Sequence, residues 1–445
     1  MNSYSCPTLL ISAPASGQGK TTITAGLAHF LTKRGKRVRV FKCGPDFLDP
    51  FWLSLASQNP VYQIDLWMTG EDDCQNRLRA AAEHADVILI EGAMGLFDGD
   101  PSAADLAIRF NIPVMAVIDA SAMAGTFGAL ALGLEQYRPH MKWAGVLANR
   151  VASPGHATML ESAIANPQHF LGAIFANAEM GFPERHLGLI MSSEIVNAVQ
   201  KLDLIADAIE TSNFGETILQ RLPSFAVEYP TKTKKTLSQK LLDHKIIAVA
   251  KDAAFCFIYQ ANLDVLEKLG ARIQFFSPLR GDPLPICDAV WLPGGYPELY
   301  AEALGNHQEL KNQLHIHIQN QRPIWAECGG MMALFETLIT ADGQSFPMWG
   351  ALPGTITMQK RLGGLGLQAL HLHDQEIRGH TFHYSTCTSP LKAYTQCLKK
   401  TETANNASGE LLFQKNSLQA SYFHAWFASN PLATASLFLP QDCQQ

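Results

Sequence analysis

Two short runs in this 445-residue chain bring together the residue types that reactive chemistry requires. The first is Ala13-Pro14-Ala15-Ser16-Gly17-Gln18-Gly19-Lys20-Thr21-Thr22, entered from the apolar run Thr8-Leu9-Leu10-Ile11. Glycines that let backbone N–H groups converge, then a lysine and a hydroxyl, between a strand and a helix, make a phosphate-binding loop. The strict pattern G-x-x-x-x-G-K-[ST] fails at its first glycine, where Pro14 stands, but Gly17, Gly19, Lys20, Thr21 and Thr22 still supply the required groups. The second run is Pro323-Ile324-Trp325-Ala326-Glu327-Cys328-Gly329-Gly330, which sets a thiol at a strand-to-helix corner. A thiolate there, with His424 downstream as its base, could attack an amide carbonyl. The N–H of Gly329 and one from Gly294-Gly295 would hold the oxyanion. One run can consume a nucleoside triphosphate and the other can cleave an amide. A chain holding both is most simply a glutamine-fed amide-forming enzyme.

Mg²⁺ takes oxygen ligands and keeps several waters, so carboxylates are expected at strand ends facing the phosphate loop. Three acid-bearing segments fit: Lys42-Cys43-Gly44-Pro45-Asp46-Phe47-Leu48-Asp49-Pro50, Asp86-Val87-Ile88-Leu89-Ile90-Glu91-Gly92, and Gly95-Leu96-Phe97-Asp98-Gly99. Thr21, Asp46 and Glu91 are the expected metal ligands, with Asp49 and Asp98 on the substrate side. Taken singly, each acid also reads as a turn former. The run His371-Leu372-His373 through Arg378-Gly379-His380-Thr381-Phe382-His383-Tyr384 has no zinc spacing. It reads as a polar loop touching an anionic substrate, with a solvated strand as the plainer alternative.

These groups need rigid supports. In the first half, β-rich runs at 8–12, 37–42, 87–91, 114–119 and 145–149 alternate with helical stretches such as 21–34 and 73–84, the rhythm of βαβ units and a mostly parallel sheet. The polar, basic stretch Glu228-Tyr229-Pro230-Thr231-Lys232-Thr233-Lys234-Lys235 reads as a linker or as an exposed helix start. The rhythm then restarts at 245–250, with a helix at 262–269 and strands at 272–276, 289–292 and 323–325. The fold class expected is α/β: a phosphate-loop NTPase domain over 1–228, a linker over 229–243, and a second α/β domain over 244–445.

Composition agrees. With 47% hydrophobic and 17% charged residues the chain can build cores, which excludes a disordered protein. A net charge of -6 argues against a non-specific nucleic-acid surface. Nine cysteines without CxxC pairs point to a reducing cytoplasm, and no export signal precedes the first strand. The apolar stretch 112–134 is interrupted by Asp119, Ser121 and three glycines, so it reads as a buried strand and a small-residue helix instead of a membrane span. No membrane or nucleic-acid partner is expected, and homodimer assembly is left open.

Together with Pro183-Glu184-Arg185-His186-Leu187-Gly188-Leu189, Leu292-Pro293-Gly294-Gly295-Tyr296-Pro297-Glu298 and the runs already quoted, the chain resembles the cobyrinic acid a,c-diamide synthases over nearly its whole length. The resemblance implies a dethiobiotin-synthetase-like domain followed by a class I glutamine amidotransferase domain. It implies ATP and Mg²⁺ as cofactors, and glutamine and a corrinoid as small-molecule partners. Cys328 would be the nucleophile, His424 its base, and Asn149-Arg150 would lie near the adenine. The activity implied is amidation of the a- and c-acetates of cobyrinic acid through acyl phosphates, in cobalamin biosynthesis. The same chemistry on hydrogenobyrinate or another tetrapyrrole is the near alternative. A regulatory partitioning-type ATPase with a non-catalytic second domain is the distant one, though such proteins carry a lysine where Ala15 stands. The family's His-x-His-Phe motif also differs here, because Trp426 holds the second histidine position.

Overall fold

A computed structural model describes residues 3–182, 192–231, 239–372, 374–400 and 408–440. The motif at 183–189 and His373 lie outside the described residues. The chain divides into two compact units, Met1–Lys235 and Thr236–Gln445.

The first unit is a parallel sheet with helices on both faces. In chain order its elements are β1 (Ser3–Ser12), α1 (Lys20–Lys33), β2 (Val38–Cys43), α2 (Asp49–Ser57), β3 (Tyr62–Ile64), α3 (Glu71–Ala82), β4 (Val87–Glu91), α4 (Ala103–Phe110), β5 (Val114–Asp119), α5 (Gly125–Gln136), β6 (Trp143–Val151), α6 (Pro154–Ser162), β7 (Phe170–Phe175), α7 (Ser192–Thr211), α8 (Asn213–Arg221) and β8 (Ala226–Pro230). The strand order is β3-β2-β4-β1-β5-β6-β7, and all those pairings are parallel. Alternate residues of each central strand enter opposite layers: Leu10, Ile88, Ile90 and Val114 pack on one face, and Leu9, Ile11, Leu89 and Met115 on the other. That two-sided burial is why these strands read as continuous apolar runs. β1 lies between β4 and β5, where the strand order reverses, so its C-terminal end opens into the crevice where such sheets bind ligands. β8 pairs antiparallel with the start of β1, Cys6 opposite Val227. Tyr229 and Pro230, inside the stretch expected to be a linker, therefore belong to this sheet.

The second unit begins as a parallel sheet and continues as an antiparallel one. Its elements are β9 (Ile246–Ala250), α9 (Gln260–Lys268), β10 (Arg272–Phe276), β11 (Ala289–Leu292), α10 (Ala301–Asn306), α11 (Gln308–Gln319), β12 (Ile324–Glu327), α12 (Gly329–Leu334), β13 (Phe335–Ile339), β14 (Ser345–Pro347), β15 (Leu352–Met358), β16 (Gly364–Leu372), β17 (Gln375–His383), β18 (Ser385–Thr388), β19 (Thr395–Lys399), β20 (Ser408–Lys415), β21 (Leu418–Ser421), β22 (His424–Ala425) and α13 (Pro431–Leu437). The main sheet runs β10-β9-β11-β12-β21-β20-β19-β16-β17-β22. β10, β9, β11, β12 and β21 are parallel, and the pairs beyond β21 are antiparallel. A small sheet, β14-β13-β15-β18, lies beside it in the chain. The histidine-rich run expected as a polar loop is β17, and its His380 and His383 are buried. Among the described residues no helix is long and apolar enough to cross a membrane.

Candidate active site

In the first unit the phosphate loop leaves β1 and enters α1 at Lys20. Gly19 has φ 92°, and a Cβ on it would lie 2.4 Å from Nδ2 of Asn149, so both the backbone and the space require glycine. Asn149 Nδ2 donates to the Gln18 carbonyl at 2.9 Å, and the Asp119 N–H donates to Gln18 Oε1 at 2.8 Å. The ends of β5 and β6 thus brace the loop from behind. Gly17, at φ 81°, has open space around its missing side chain. The Lys20 ammonium donates to the Ala15 carbonyl at 3.1 Å, folding the lysine over its own loop. Burial, then Lys42, lower its pKa against the opposing pull of Glu91, Asp49 and Asp98. Thr22 follows in the first turn of α1.

The acids gather around a cation that the motif reading passed over. Lys42, at the end of β2, donates to Asp49 Oδ2 at 2.6 Å and to Glu91 Oε1 at 2.9 Å, and lies 3.8 Å from Asp46 Oδ2. Burial pulls this ammonium down, but Glu91, Asp49 and Asp46 outweigh it and hold its pKa above the ordinary lysine value. Burial pushes the Glu91 carboxyl up against the pull of Lys42. Thr21 Oγ1 donates to Glu91 Oε1 at 2.7 Å, while Glu91 Oε2 is buried without a hydrogen-bond partner among the described residues. An orphaned carboxylate oxygen beside the loop threonine fits a site for a small oxygen-seeking cation. Asp46 Oδ1 is taken by the N–H groups of Leu48 and Asp49. Asp98 accepts from the Gly95 N–H at 2.9 Å and bears electrostatically on Lys20. The signal that could have found Lys42 is a charged residue closing an otherwise apolar strand, since a buried charge needs partners. It sits in register with Glu91 on the adjacent strand.

In the second unit Cys328 caps α12 directly after β12. Its φ of 43° and ψ of -105° are a strained conformation for a side-chain-bearing residue, and its N–H donates to the Ser421 carbonyl at 2.7 Å. Strain at a strand–helix corner presents a nucleophile. Burial and then Glu298 push the thiol pKa up, while the Gly329 N–H hydrogen-bonds the sulfur and lowers it. A Cβ on Gly329 would lie 2.8 Å from the Gly295 nitrogen, and one on Gly294 would lie 2.4 Å from Cε1 of His424. The turn after β11, the corner after β12 and His424 on β22 are therefore in contact, with no room for side chains between them. His424 stands opposite His380 across β22 and β17, and the two rings stack with centroids 5.0 Å apart. Burial and the neighbouring His380 and His383 hold the His424 pKa well below the ordinary histidine value. A neutral imidazole at rest is what a base needs.

A reversed-order parallel sheet presenting a glycine–lysine–threonine loop, and a second sheet presenting a thiol beside a buried histidine, define a nucleotide-binding unit joined to a glutamine amidotransferase-type unit. Residues 9–189 match the family model for the CobQ/CobB/MinD/ParA nucleotide binding domain, and residues 246–432 match that for the CobB/CobQ-like glutamine amidotransferase domain. The chain is 50% identical over 441 residues to the hydrogenobyrinate a,c-diamide synthase of Stutzerimonas stutzeri, covering 99% of this chain and 100% of that one. It is 48% identical over 435 residues to the cobyrinate a,c-diamide synthase of Herminiimonas arsenicoxydans, covering 97% of each. It is 47% identical over 442 residues to the hydrogenobyrinate a,c-diamide synthase of Pseudomonas aeruginosa, covering 99% of each. The chain belongs to the cobyrinate and hydrogenobyrinate a,c-diamide synthase family.

Proposed function

We propose that this chain is a carbon–nitrogen ligase that amidates the a- and c-acetate carboxylates of cobyrinic acid, with ATP as the energy source and glutamine or ammonia as the nitrogen donor, in cobalamin biosynthesis. The observation that carries this reading is the strained thiol corner at Cys328, packed through Gly294, Gly295 and Gly329 against His424, in the same chain as a braced phosphate loop. Relatives named for the cobalt-containing acid and for the metal-free ring match at nearly equal identity, so hydrogenobyrinate is the alternative acceptor.

A carboxylate resists ammonia because it is anionic and its oxygen leaves poorly. Transfer of the γ-phosphoryl group from ATP to the acetate removes both obstacles and releases ADP. Loop N–H groups around Gly17 and Gly19, with Lys20, would bind and neutralise the phosphate oxygens. Asn149 keeps the loop in place and would border the base. Thr21 and Glu91, with Asp46 nearby, would hold Mg²⁺, which supplies positive charge to the phosphates when bound. Asp98 would lie on the acceptor side, and Asp49 would serve that side through Lys42. At the other centre His424 takes the Cys328 proton as sulfur bonds to the amide carbon of glutamine. The proton then goes to the departing nitrogen, giving ammonia and a thioester that water hydrolyses to glutamate. Ammonia displaces phosphate from the acyl phosphate to form the amide.

The test is Cys328→Ser. Glutamine-dependent amidation should vanish while ammonia-dependent amidation persists. Loss of both would refute this division of labour.

A further inference from the structure

Glu327 ends β12 and immediately precedes Cys328, and it is 1% exposed. Two donors occupy one of its oxygens: Oε1 accepts from Trp325 Nε1 at 2.7 Å and from the Ala425 N–H at 3.2 Å. The Trp291 indole adjoins the same carboxyl. Its other oxygen, Oε2, lies 3.9 Å from Nδ1 of His424. The rest of that imidazole is enclosed by His380 stacked on one face, the tilted ring of Phe257 at 6.0 Å, and Gly294 at its Cε1 edge. A base that activates a nucleophile is itself oriented by a third group at its far nitrogen. Trp426, two residues after His424, carries only an indole donor and cannot accept a proton from an imidazole N–H.

We propose that Glu327 is the positioning residue of the thiol centre, its Oε2 holding His424 in the tautomer that leaves Nε2 to take the Cys328 proton. This rests on the reading of Cys328 and His424 as the glutamine-hydrolysing pair. At 3.9 Å the pair is within ion-pair range but beyond hydrogen-bond length, and catalytic hydrogen bonds that are long without substrate tighten once it is in place. Burial pushes the Glu327 carboxyl up to about 8, with the Trp325 indole and the Ala425 N–H opposing it. As Nε2 gains the thiol proton the ring becomes cationic, and that neighbouring charge favours the carboxylate, which balances it. The proton leaves with ammonia, and water returns one to sulfur through the same nitrogen when the thioester breaks. Glu327 changes no covalent bond. The competing role is a structural pin, joining β12 to β22 through Ala425.

Glutaminase kinetics of Glu327→Gln separate the two. Glutamine keeps an oxygen for Trp325 and Ala425 but carries no negative charge. The proposal expects kcat for glutamine hydrolysis to fall by about 10²–10⁴-fold with KM within about twofold, and ammonia-dependent amidation to stay at the parent rate. A kcat within about threefold of the parent overturns it, whether KM or thermal stability changes or not. If the variant does not fold, ¹⁵N-histidine NMR of the parent decides. His424, identified by the resonance lost in His424→Gln, should be protonated at Nδ1; a proton at Nε2 overturns the proposal. Absence of glutamine turnover in the parent would count against the function itself, so the two failures are distinguishable.

Discussion

Lys42 shows how one side chain organises the nucleotide-binding unit. Its ammonium is the cation for Asp49 and Glu91, and all three groups are buried. Removing one partner of such a cluster leaves uncompensated charge, at a cost of about 3–5 kcal/mol. Lys42→Met should therefore lower the melting temperature of the chain and abolish ATP-dependent amidation, while Cys328 still hydrolyses glutamine. A variant with parent stability would contradict the pairing. Gly294 is the converse case, where the absent side chain matters. The added methyl of Gly294→Ala would overlap the His424 ring, so glutamine hydrolysis should drop at least about 10²-fold. Ammonia-dependent turnover should be unaffected, and a glutaminase at the parent rate would show that the ring tolerates the intrusion. Neither role was legible in the motifs alone. Lys42 lies within one, but its partner Glu91 becomes a neighbour only through the pairing of β2 with β4.

Elements explain which parts of the site sequence could and could not reveal. The parallel strands of the first unit were legible because burial on both faces demands unbroken apolar runs, as in Val87–Glu91 and Val114–Asp119. β8 was not, since its partner lies at the far end of the unit in β1 and its residues are polar and proline-containing. The histidine-rich β17 read as a loop because buried His380 and His383, on opposite faces of the strand, stand in place of apolar residues; the return of the chain as β22 gives His380 a stacking partner. The turn after β11 adds a pH signature. Burial pushes the Glu298 carboxyl up to about 7, above its value in an unfolded chain. The native state then holds that proton more tightly than the unfolded state. Its stabilising contribution is complete below pH about 4.5 and is lost as pH rises to about 7. His380, lowered by burial to about 3, acts oppositely, costing stability as pH falls below about 6.5. Comparing melting temperatures of the parent and Glu298→Gln isolates the carboxyl. The variant should lose less stability than the parent between pH about 5 and about 7.5. Parallel curves would exclude a raised Glu298.

At the scale of the whole molecule, two αβ units with separate cores carry two half-reactions in one polypeptide. A regulatory ATPase with an idle second unit would have no use for a strained cysteine whose neighbours are stripped to glycine around a neutral histidine. The position five residues before Lys20 is Ala15, whose carbonyl receives the loop lysine itself. The most direct test of the coupled chemistry follows nitrogen and phosphate together. The purified chain is given cobyrinic acid, Mg-ATP and glutamine labelled with ¹⁵N at its side-chain amide, and ADP, glutamate and corrinoid products are quantified in the same samples. The account predicts ¹⁵N in both new amides, with one ADP and one glutamate formed per amide. Amidated product without ¹⁵N, or ADP that does not rise in step with it, would contradict the account.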